Sequence, residues 1–435
     1  MTVRRGARHV AVLGAGLAGL AAATRLRAAG RDVTVFEARQ RVGGRVWSQT
    51  VDTGHEAPAV IERGAEFVLD GYDSMRRLLA LTGLDLIDTG MSYYVRALAE
   101  TPSITTGDIA EAGGRAAALA RALPGTPSTE DVLRRLGEDP ALVEALRARV
   151  EISTAVEAHR VTAAALHHVA SFEPLPSRRV AGGNQRLPDA LGARLSGAIR
   201  LGEVVRRVSQ DERGVVVATE SAEALFDAVV VALPLAVVRD PEALELDLPG
   251  WKREALGHVV QGQAAKLHLP LRTPPATSAL MSVRGRFWNW TALDAAGRVA
   301  PVLNGFMGSP SAIEAAALTE GPDAWVRATR LIRPDLDFDP ARPATLTVWQ
   351  TDPFARGAYA AHSPKTPADN AELIERPVGC VHFAGEYADP DCTGLMEGAI
   401  RSGERAADRV IGRGRTQAMS HRTDASCIPV EDGVR

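Results

Sequence analysis

The stretch His9–Glu37, HVAVLGAGLAGLAAATRLRAAGRDVTVFE, decides the fold of this 435-residue chain. A short apolar run, His9–Leu13, is followed by a glycine-rich turn, a helical segment, Leu17–Ala29, and a second β-branched run, Asp32–Glu37. Short apolar strands on either side of a helix are typical of a parallel sheet that helices cover on both faces. The stretch therefore predicts a Rossmann-like β-α-β unit at the start of the chain.

The turn between the first strand and the helix has the spacing G-x-G-x-x-G, with Gly14, Gly16 and Gly19 as its glycines and Ala15 between the first two. The first glycine allows the tight turn, the second lets a pyrophosphate approach the backbone, and the third allows close helix–strand packing. An acidic side chain at the end of the next strand binds a ribose hydroxyl in such units. Glu37 lies at that point. The unit therefore predicts a dinucleotide-binding site.

The composition argues against several other classes of protein. The chain has 50 basic and 53 acidic residues and a formal net charge of −3, which provides no basic surface for nucleic acid or an anionic membrane. No run approaches the roughly 18 apolar residues of a transmembrane helix. The three cysteines are too few and too scattered for a disulfide framework. We therefore expect a cytoplasmic protein without nucleic-acid or membrane partners.

The residues that follow the second strand extend the fingerprint to E-A-x-x-R-x-G-G-R. In this string the chain resembles the flavin-containing monoamine and polyamine oxidase superfamily, which includes L-amino-acid oxidases. The resemblance implies that the dinucleotide is FAD, bound by Glu37, Ala38, Arg39, Gly44 and Arg45. Glu37 would bind the adenosine ribose, and the two arginines would approach the ribose or the pyrophosphate. A planar guanidinium suits that task because it pairs with phosphate through two parallel hydrogen bonds.

Further segments resemble flavin-binding segments of the same superfamily. Gly64-Ala65-Glu66-Phe67 is similar to its G-A-x-[FW] segment, whose backbone passes the flavin ring. The residues 382–386 and 394–399 resemble F-A-G-E…G-x-x-E-G-A, which closes the flavin site. The remaining cofactor positions that the resemblance implies are Val205, at the adenine, and Trp349, Gly385, Glu386, Gly394, Leu395, Met396 and Ala399.

One lysine differs from the other two. Lys252 and Lys365 lie in polar segments that are typical of turns, whereas Lys266 lies inside the apolar run Ala264–Leu271. Amine oxidases of the superfamily hold a lysine at the corresponding position, bridged by water to flavin N5, where it assists reoxidation by oxygen. A positive charge there would stabilise developing superoxide. The resemblance thus implies a catalytic role for Lys266.

The segment Trp349–Tyr359 is similar to W-x-x-D-P-x-x-x-G-x-Y, which lies beside the flavin in the superfamily. Tyr359 would form one wall of an aromatic cage that orients the substrate amine. Leu395 stands where the monoamine oxidases have a second tyrosine, so narrow monoamine specificity is not implied. Ala358 stands where members with covalent flavin have cysteine, which implies non-covalent FAD.

The implied reaction is FAD-dependent oxidation of an amine. Hydride transfer from the amine α-carbon to flavin N5 gives an imine, and oxygen then reoxidises the flavin with release of H2O2. Lys266 and Tyr359 are the expected catalytic residues, with Tyr359, Leu395, Phe67 and Trp288 binding the substrate. No metal is needed, because the cofactor carries the chemistry. Alternatives that stay open are an L-amino-acid oxidase, a desaturase- or porphyrinogen-oxidase-like flavoenzyme, and a FAD-dependent isomerase of the same fold.

Segments with strand-forming sequences recur several times along the chain, which predicts discontinuous domains. We expect a glutathione-reductase-like, Rossmann-like α/β FAD-binding domain from residues 1–90, 178–262 and 345–415. Residues 91–177 and 263–344 would form an α+β substrate-binding domain with a mixed sheet and a helical insertion. Residues 416–435 are expected to be a disordered tail. The arginine-rich, lysine-poor composition is typical of a GC-rich bacterial gene, and a homodimer is compatible with the sequence.

Overall fold

The computed structural model describes residues 8–166 and 175–412, so the predicted tail lies outside the described residues. The strands, in chain order, are β1 (His9–Leu13), β2 (Asp32–Glu37), β3 (Ser48–Val51), β4 (Ala59–Glu62), β5 (Leu86–Asp88), β6 (Ala97–Leu98), β7 (Arg178–Val180), β8 (Ile199–Leu201), β9 (Val205–Asp211), β10 (Gly214–Thr219), β11 (Glu223–Phe226), β12 (Ala228–Val231), β13 (Glu245–Leu246), β14 (Val259–Gln261), β15 (Ala264–Pro270), β16 (Ser278–Ser282), β17 (Phe287–Thr291), β18 (Val302–Gly308), β19 (Thr345–Val348), β20 (Ala360–His362) and β21 (Val381–Phe383).

The α-helices of the same residues begin with the predicted helix of the fingerprint. In chain order they are α1 (Leu17–Ala28), α2 (Asp73–Thr82), α3 (Thr106–Ala122), α4 (Thr129–Leu133), α5 (Pro140–Thr154), α6 (Arg186–Arg194), α7 (Leu235–Arg239), α8 (Gly250–Gly257), α9 (Pro310–Ala315), α10 (Asp323–Ile332), α11 (Asn370–Glu375) and α12 (Met396–Ile411). None of these helices is both long enough and apolar enough to cross a membrane.

The fingerprint strand β1 lies in the middle of a parallel five-stranded sheet with the order β21-β12-β1-β2-β8. Residues of β12 are buried throughout, as expected for a parallel sheet that is covered on both faces. On one face α1 packs against α12 at very short range, because a Cβ on Gly403 would lie 2.1 Å from the carbonyl oxygen of Ala18. The predicted Rossmann-like α/β fold is confirmed.

A second, mixed sheet has the order β19-β15-β18-β17-β16-β6. Its strands pair in antiparallel fashion except for β16 and β6, which are parallel. The strand β19 pairs with β15, with Thr347 opposite Lys266. The predicted boundary at residue 345 would assign β19 to the FAD-binding part, but this pairing puts the strand in the second sheet. The division of the chain into two domains otherwise stays a prediction.

The helical insertion covers one side of the second sheet. The helices α3, α4 and α5 each begin at a side chain that accepts backbone N–H groups, and these side chains are Thr105, Ser128 and Asp139. Apolar side chains of these helices share one core with the aromatic strand β17. The last turn of α5 thereby reaches the sheet beside β18, where the cavity described below ends.

Candidate active site

A cavity of about 530 Å³ runs from the fingerprint turn to the aromatic side chains of the second sheet. Three predicted cofactor residues, Ala15, Gly19 and Val205, do not line this cavity. The predicted residues that line it are Gly14, Gly16, Glu37, Ala38, Arg39, Gly44, Arg45, Gly64, Ala65, Glu66, Phe67, Lys266, Trp288, Trp349, Tyr359, Gly385, Glu386, Gly394, Leu395, Met396 and Ala399. Segments from both ends and the middle of the chain therefore meet at one space.

The fingerprint turn is closed by contacts that only glycine allows. Gly14 has a φ of 95°, and a Cβ there would lie 2.8 Å from the carbonyl oxygen of Ala232. A Cβ on Gly19 would lie 1.9 Å from the carbonyl oxygen of Gly14, so α1 packs directly on the turn. A Cβ on Gly16 would meet no atom within 4 Å. The turn is thus open beside the first residues of α1, where a pyrophosphate would find the helix N-terminus.

Glu37 lies at the end of β2 and is 4% exposed. Its two carboxylate oxygens accept the backbone N–H groups of Ala15, at 2.8 Å, and Arg39, at 2.9 Å. These bonds hold the carboxylate at the cavity wall, and each oxygen keeps a further lone pair for a ribose hydroxyl. Ala15 contributes through this backbone bond. The residues present therefore fit the adenosine end of FAD.

The two predicted arginines each have a carboxylate partner from the C-terminal half. Arg39 Nη2 donates to Asp352 Oδ1 at 2.5 Å, and Arg45 Nη1 donates to Glu386 Oε1 at 2.9 Å. Arg39, Arg45 and Glu386 line the cavity. The two ion pairs connect the extended fingerprint to the segments that the family resemblance places beside the flavin.

Glu386 joins three segments around the cavity. Its Oε2 accepts the N–H groups of Gly394, at 3.2 Å, and Ala360, at 3.3 Å, while Oε1 accepts from Arg45. The helix of this C-terminal motif, α12, begins at Met396 and not at Gly394, which has a φ of 83°. The first turn of α12 still lines the cavity.

Glu397, the acidic residue of the same C-terminal motif, has a structural task. It is 2% exposed, and its carboxylate accepts the N–H groups of Ser74, at 2.8 Å, and Met75, at 2.9 Å. A carboxylate at this point satisfies the first N–H groups of α2 and interacts favourably with its dipole. The motif thereby fixes α2 to α12.

Lys266 lies on β15, is 3% exposed, and has a carboxylate partner. Its Nζ lies 2.6 Å from Glu66 Oε2 and donates to the carbonyl oxygen of Gly64 at 3.2 Å. The other oxygen of Glu66 accepts the indole N–H of Trp290 at 3.2 Å and lies 3.8 Å from Arg179 Nη1. Glu66 therefore holds the lysine and one aromatic wall of the cavity in place.

A second buried carboxyl lies behind this pair. Glu62 is fully buried and accepts the N–H of Asn184 at 2.8 Å. Burial raises the pKa of Glu62 to about 7, and the negative charge of Glu66 raises it further. The hydrogen bond from Asn184 lowers this pKa but does not offset burial. On β15, burial and the nearby charge of Lys266 lower the pKa of His268 to about 3. His268 is therefore neutral at physiological pH.

Tyr359 lies at the aromatic end of the cavity, and its hydroxyl donates to the carbonyl oxygen of Ser153 at 2.8 Å. Burial raises the pKa of Tyr359 well above its usual value, so the ring stays neutral. The indole rings of Trp288 and Trp290 are stacked with centroids 4.1 Å apart. The other aromatic residues that line this end are Phe67, Tyr93, Tyr94 and Phe306.

Tyr93 and Trp290 line the cavity as well, although the predicted substrate-binding residues include only Trp288 of β17. Trp290 lies two residues after Trp288, and alternate residues of a strand share a face, so the sequence makes Trp290 a candidate for either the pocket or the core. The aromatic doublet Tyr93-Tyr94, at the entry to an Ala/Leu/Arg-rich insertion, was the other available signal.

Two predicted cofactor residues act through packing. Trp349 donates its indole N–H to the carbonyl oxygen of Arg63 at 3.1 Å, and its ring lies against Gly64. A Cβ on Gly64 would lie 3.2 Å from that ring. Val205 is 9% exposed and packs in the apolar core on the other side of β1. The expected contact of Val205 with adenine stays a prediction, since this residue does not line the cavity.

The prediction that Lys252 lies in a polar, turn-like segment was wrong. Lys252 lies in α8 and is fully buried. Its Nζ donates to the carbonyl oxygen of Leu373 at 3.0 Å, to that of Arg376 at 2.6 Å, and also to that of Ile374. Its Nζ also lies 3.9 Å from the ring centroid of Phe383. Burial lowers the pKa of Lys252 to about 7. The lysine is a cap for the C-terminal carbonyls of α11, which the sequence around it did not indicate.

Among residues 8–166 and 175–412, no group of three or more His, Cys, Asp or Glu side chains is arranged to hold a metal ion.

The chain is similar in sequence to proteins named as monoamine and polyamine oxidases. Residues 17–411 match the family of flavin-containing amine oxidoreductases. A Mycobacterium tuberculosis protein that is provisionally named as a flavin-containing monoamine oxidase is 28% identical, over 92% of this chain and 96% of its own length. Polyamine oxidase 4 of Oryza sativa subsp. japonica is 26% identical, over 92% of this chain and 88% of its own length.

The fold is shared with putrescine oxidase, whose structure with bound putrescine superposes with a TM-score of 0.78 and 23% identity. That match covers 93% of this chain and 99% of the other. The family match over residues 17–411 and the shared fold agree with the flavin-binding motifs that line the cavity. The chain belongs to the flavin-containing amine oxidoreductases and is a FAD-dependent enzyme.

Proposed function

We propose that this protein is an FAD-dependent oxidase that converts an amine to an imine and transfers the electrons to oxygen. The observation that carries the proposal is that one cavity connects the dinucleotide fingerprint to Lys266, Tyr359 and the six further aromatic residues of its far end. A binding site for FAD alone would not need a buried lysine and an aromatic cage at its far end.

FAD, when bound, would supply the redox chemistry: the two-electron oxidation of a neutral amine to an imine, with the electrons passed on to oxygen as H2O2. Glu37, Arg39 and Arg45 would hold the nucleotide, and the first turn of α12 would face the flavin ring with the positive end of its dipole. Ala358 is buried among small side chains and carries no nucleophile, which supports non-covalent binding.

The chain's own residues position the substrate and exclude water. Tyr359 presents a neutral ring, fixed by its bond to Ser153, and the stacked pair Trp288 and Trp290 forms another wall. Electron-rich ring faces attract an amine and keep its nitrogen oriented. The ion pair of Lys266 with Glu66 holds a positive charge beside the cavity, where it can stabilise reduced oxygen species.

An anaerobic screen tests the proposal. The FAD-loaded protein is mixed with amines and amino acids without oxygen, and the visible absorbance of the oxidised flavin is followed. We expect bleaching by at least one amine or amino acid and recovery of the colour, with H2O2, on addition of oxygen. Bleaching only by an isoprenoid or a porphyrinogen would instead support the desaturase-like alternative. Turnover without net oxygen consumption would support the isomerase.

A further inference from the structure

The described part of the cavity wall reaches the protein surface at one place. Of the described residues that line the cavity, only Ala164, Pro390 and Asp391 are exposed. Ala164 follows α5 in the helical insertion, whereas the other two belong to the loop that precedes α12. The described lining residues of the nucleotide end are all buried or half-buried. A molecule in solution can therefore reach the interior between these two segments.

Two stretches of chain lead inward from this opening to the predicted substrate residues. The loop before α12 continues from the opening to Leu395, and a Cβ on Gly394 would lie 3.4 Å from the ring of Tyr359. From Tyr359 the strand β20 leads outward to His362, about 10 Å along an extended chain. There His362 Nε2 lies 2.9 Å from Thr393 Oγ1, so the two stretches run side by side. All of these residues line the one cavity, which makes the passage continuous.

The third side of the passage is the segment 161–165, which is fixed by backbone hydrogen bonds. The N–H of Thr162 donates to the carbonyl oxygen of His362 at 2.9 Å. The N–H of Thr129, the first residue of α4, donates to the carbonyl oxygen of Val161, also at 2.9 Å. The segment is thereby attached both to β20 and to the helical insertion.

The loop opposite this segment is held by a buried carboxylate. Asp389 is fully buried, and its Oδ1 accepts the N–H groups of Cys392, at 2.7 Å, and Asp391, at 3.1 Å. Its Oδ2 accepts from Arg405 Nη1 at 2.8 Å. The backbone on both sides of the opening is thus fixed, so the width of the passage depends on the side chains that project into it.

These side chains are small and carry no net charge. The segment 161–165 contributes Thr162, Ala164 and Ala165 to the wall of the passage, and the loop contributes Thr393. The acidic side chain of Asp391 at the opening is paired with Arg401 Nη2 at 2.9 Å. The size of an amine, more than its charge, therefore determines whether it can pass.

We propose that the amine enters between the segment 161–165 and the loop 390–393, and that Ala164, Ala165 and Thr393 set the upper size of the amines that are admitted. The inference rests on the proposed oxidase function and adds a specificity-determining site to it. FAD would occupy the nucleotide end, so this opening is the path that stays available to a substrate. Neither segment belongs to the motifs shared with the family.

Binding kinetics test the proposal without turnover. The amines tert-butylamine and cumylamine carry no hydrogen on the α-carbon, so neither can be oxidised by hydride loss, and cumylamine is the larger. Each is mixed with oxidised, FAD-loaded protein, and perturbation of the flavin spectrum gives the rate constants of association and dissociation. We expect Ala164→Trp and Ala165→Phe to slow both steps at least tenfold for cumylamine and less than threefold for tert-butylamine. Kd should change little, because a narrower passage raises the barrier equally in both directions.

Two further variants provide a control and the opposite change. Ala222 is exposed in the turn between β10 and β11 and does not line the cavity, so Ala222→Trp should leave both rate constants within twofold of the parent values. Thr393→Ala widens the passage and should speed association of cumylamine at least threefold.

The possible outcomes separate this inference from the oxidase function. Unchanged cumylamine kinetics in both Ala164→Trp and Ala165→Phe, or equal slowing in Ala222→Trp, would overturn the entrance. A large change in Kd at an unchanged association rate would also overturn it, since the two alanines would then shape the binding site and not the path. If no amine binds to the parent protein or reduces its flavin anaerobically, both proposals are contradicted.

Discussion

Lys266 Nζ lies 2.6 Å from Glu66 Oε2, and the two side chains form an ion pair in which each partner is less than 5% exposed. The pair joins the second sheet to the segment after β4 and lies at the junction between the nucleotide and aromatic ends of the cavity. Family resemblance implied a role for the lysine but no carboxylate partner for it. Glu66 is therefore a positioning residue for Lys266, and the charge beside the flavin site belongs to the pair.

Replacement of the lysine should affect one half of the catalytic cycle more than the other. We expect Lys266→Met to slow reoxidation of the reduced protein by oxygen at least tenfold while anaerobic reduction changes less than threefold. The reason is that a positive charge stabilises superoxide as it forms, whereas hydride transfer does not need it. Stopped-flow measurement of the two steps checks this. Equal slowing of both steps would contradict the assigned role.

Removal of one partner of the pair should destabilise the protein more than removal of both. Glu66→Gln leaves a buried ammonium without its carboxylate, and Lys266→Met leaves the carboxylate, so we expect each to lower the free energy of unfolding by about 3–5 kcal/mol. The double variant leaves neither charge and should lose less stability than either single variant. Urea unfolding of the four proteins forms a double-mutant cycle, and additive losses would show that the two side chains act independently.

Glu62 should make stability depend on pH. Its pKa of about 7 in the folded protein lies above the ordinary glutamate value, so the neutral form is the one that folding favours. The stabilising effect is complete below about pH 4.3, the unfolded value, and is lost as pH rises to the folded pKa. Glu62→Gln should therefore lose less stability than the parent between pH 5 and pH 8, by on the order of 2–3 kcal/mol. Urea midpoints of both proteins at the two pH values provide the measurement; parallel pH profiles would contradict the assignment.

Lys252 should contribute to stability and not to catalysis. Lys252→Met leaves three buried carbonyl oxygens near the end of α11 without their donor, which should lower the free energy of unfolding by about 2–4 kcal/mol. Lys365 is exposed, so Lys365→Met is a matched control that should change stability by less than about 0.5 kcal/mol. Rates of flavin reduction should agree within twofold in both variants. Equal urea midpoints for Lys252→Met and Lys365→Met would show that the cap is unimportant.

The nucleotide end of the cavity could be predicted because its parts are close together in the chain. Gly14, Gly19 and Glu37 lie within 24 residues, and their spacing specifies a strand, a turn and a helix almost independently of the rest of the molecule. The predicted strand containing Lys266 was found for a similar reason, since its apolar run is a local pattern.

The aromatic end was only partly predicted, since its residues meet through contacts between distant segments. Arg96 and Tyr93 belong to a segment without a motif, and only the packing of that segment on β17 brings them to Trp288. Lys252 was misread because the carbonyl groups that bury and bind it lie more than 120 residues further along the chain.

The amino-acid sequence by itself determined the Rossmann-like unit, the FAD fingerprint and the membership of the amine oxidoreductases, because these depend on spacing within short segments. Only the tertiary structure decided which charges are paired. Lys266 finds Glu66 at a separation of 200 residues, while Arg96 is buried against the rings of Tyr93 and Trp288. The physical reason is that burial and charge compensation are properties of the packed chain, in which side chains far apart in sequence share one low-dielectric space.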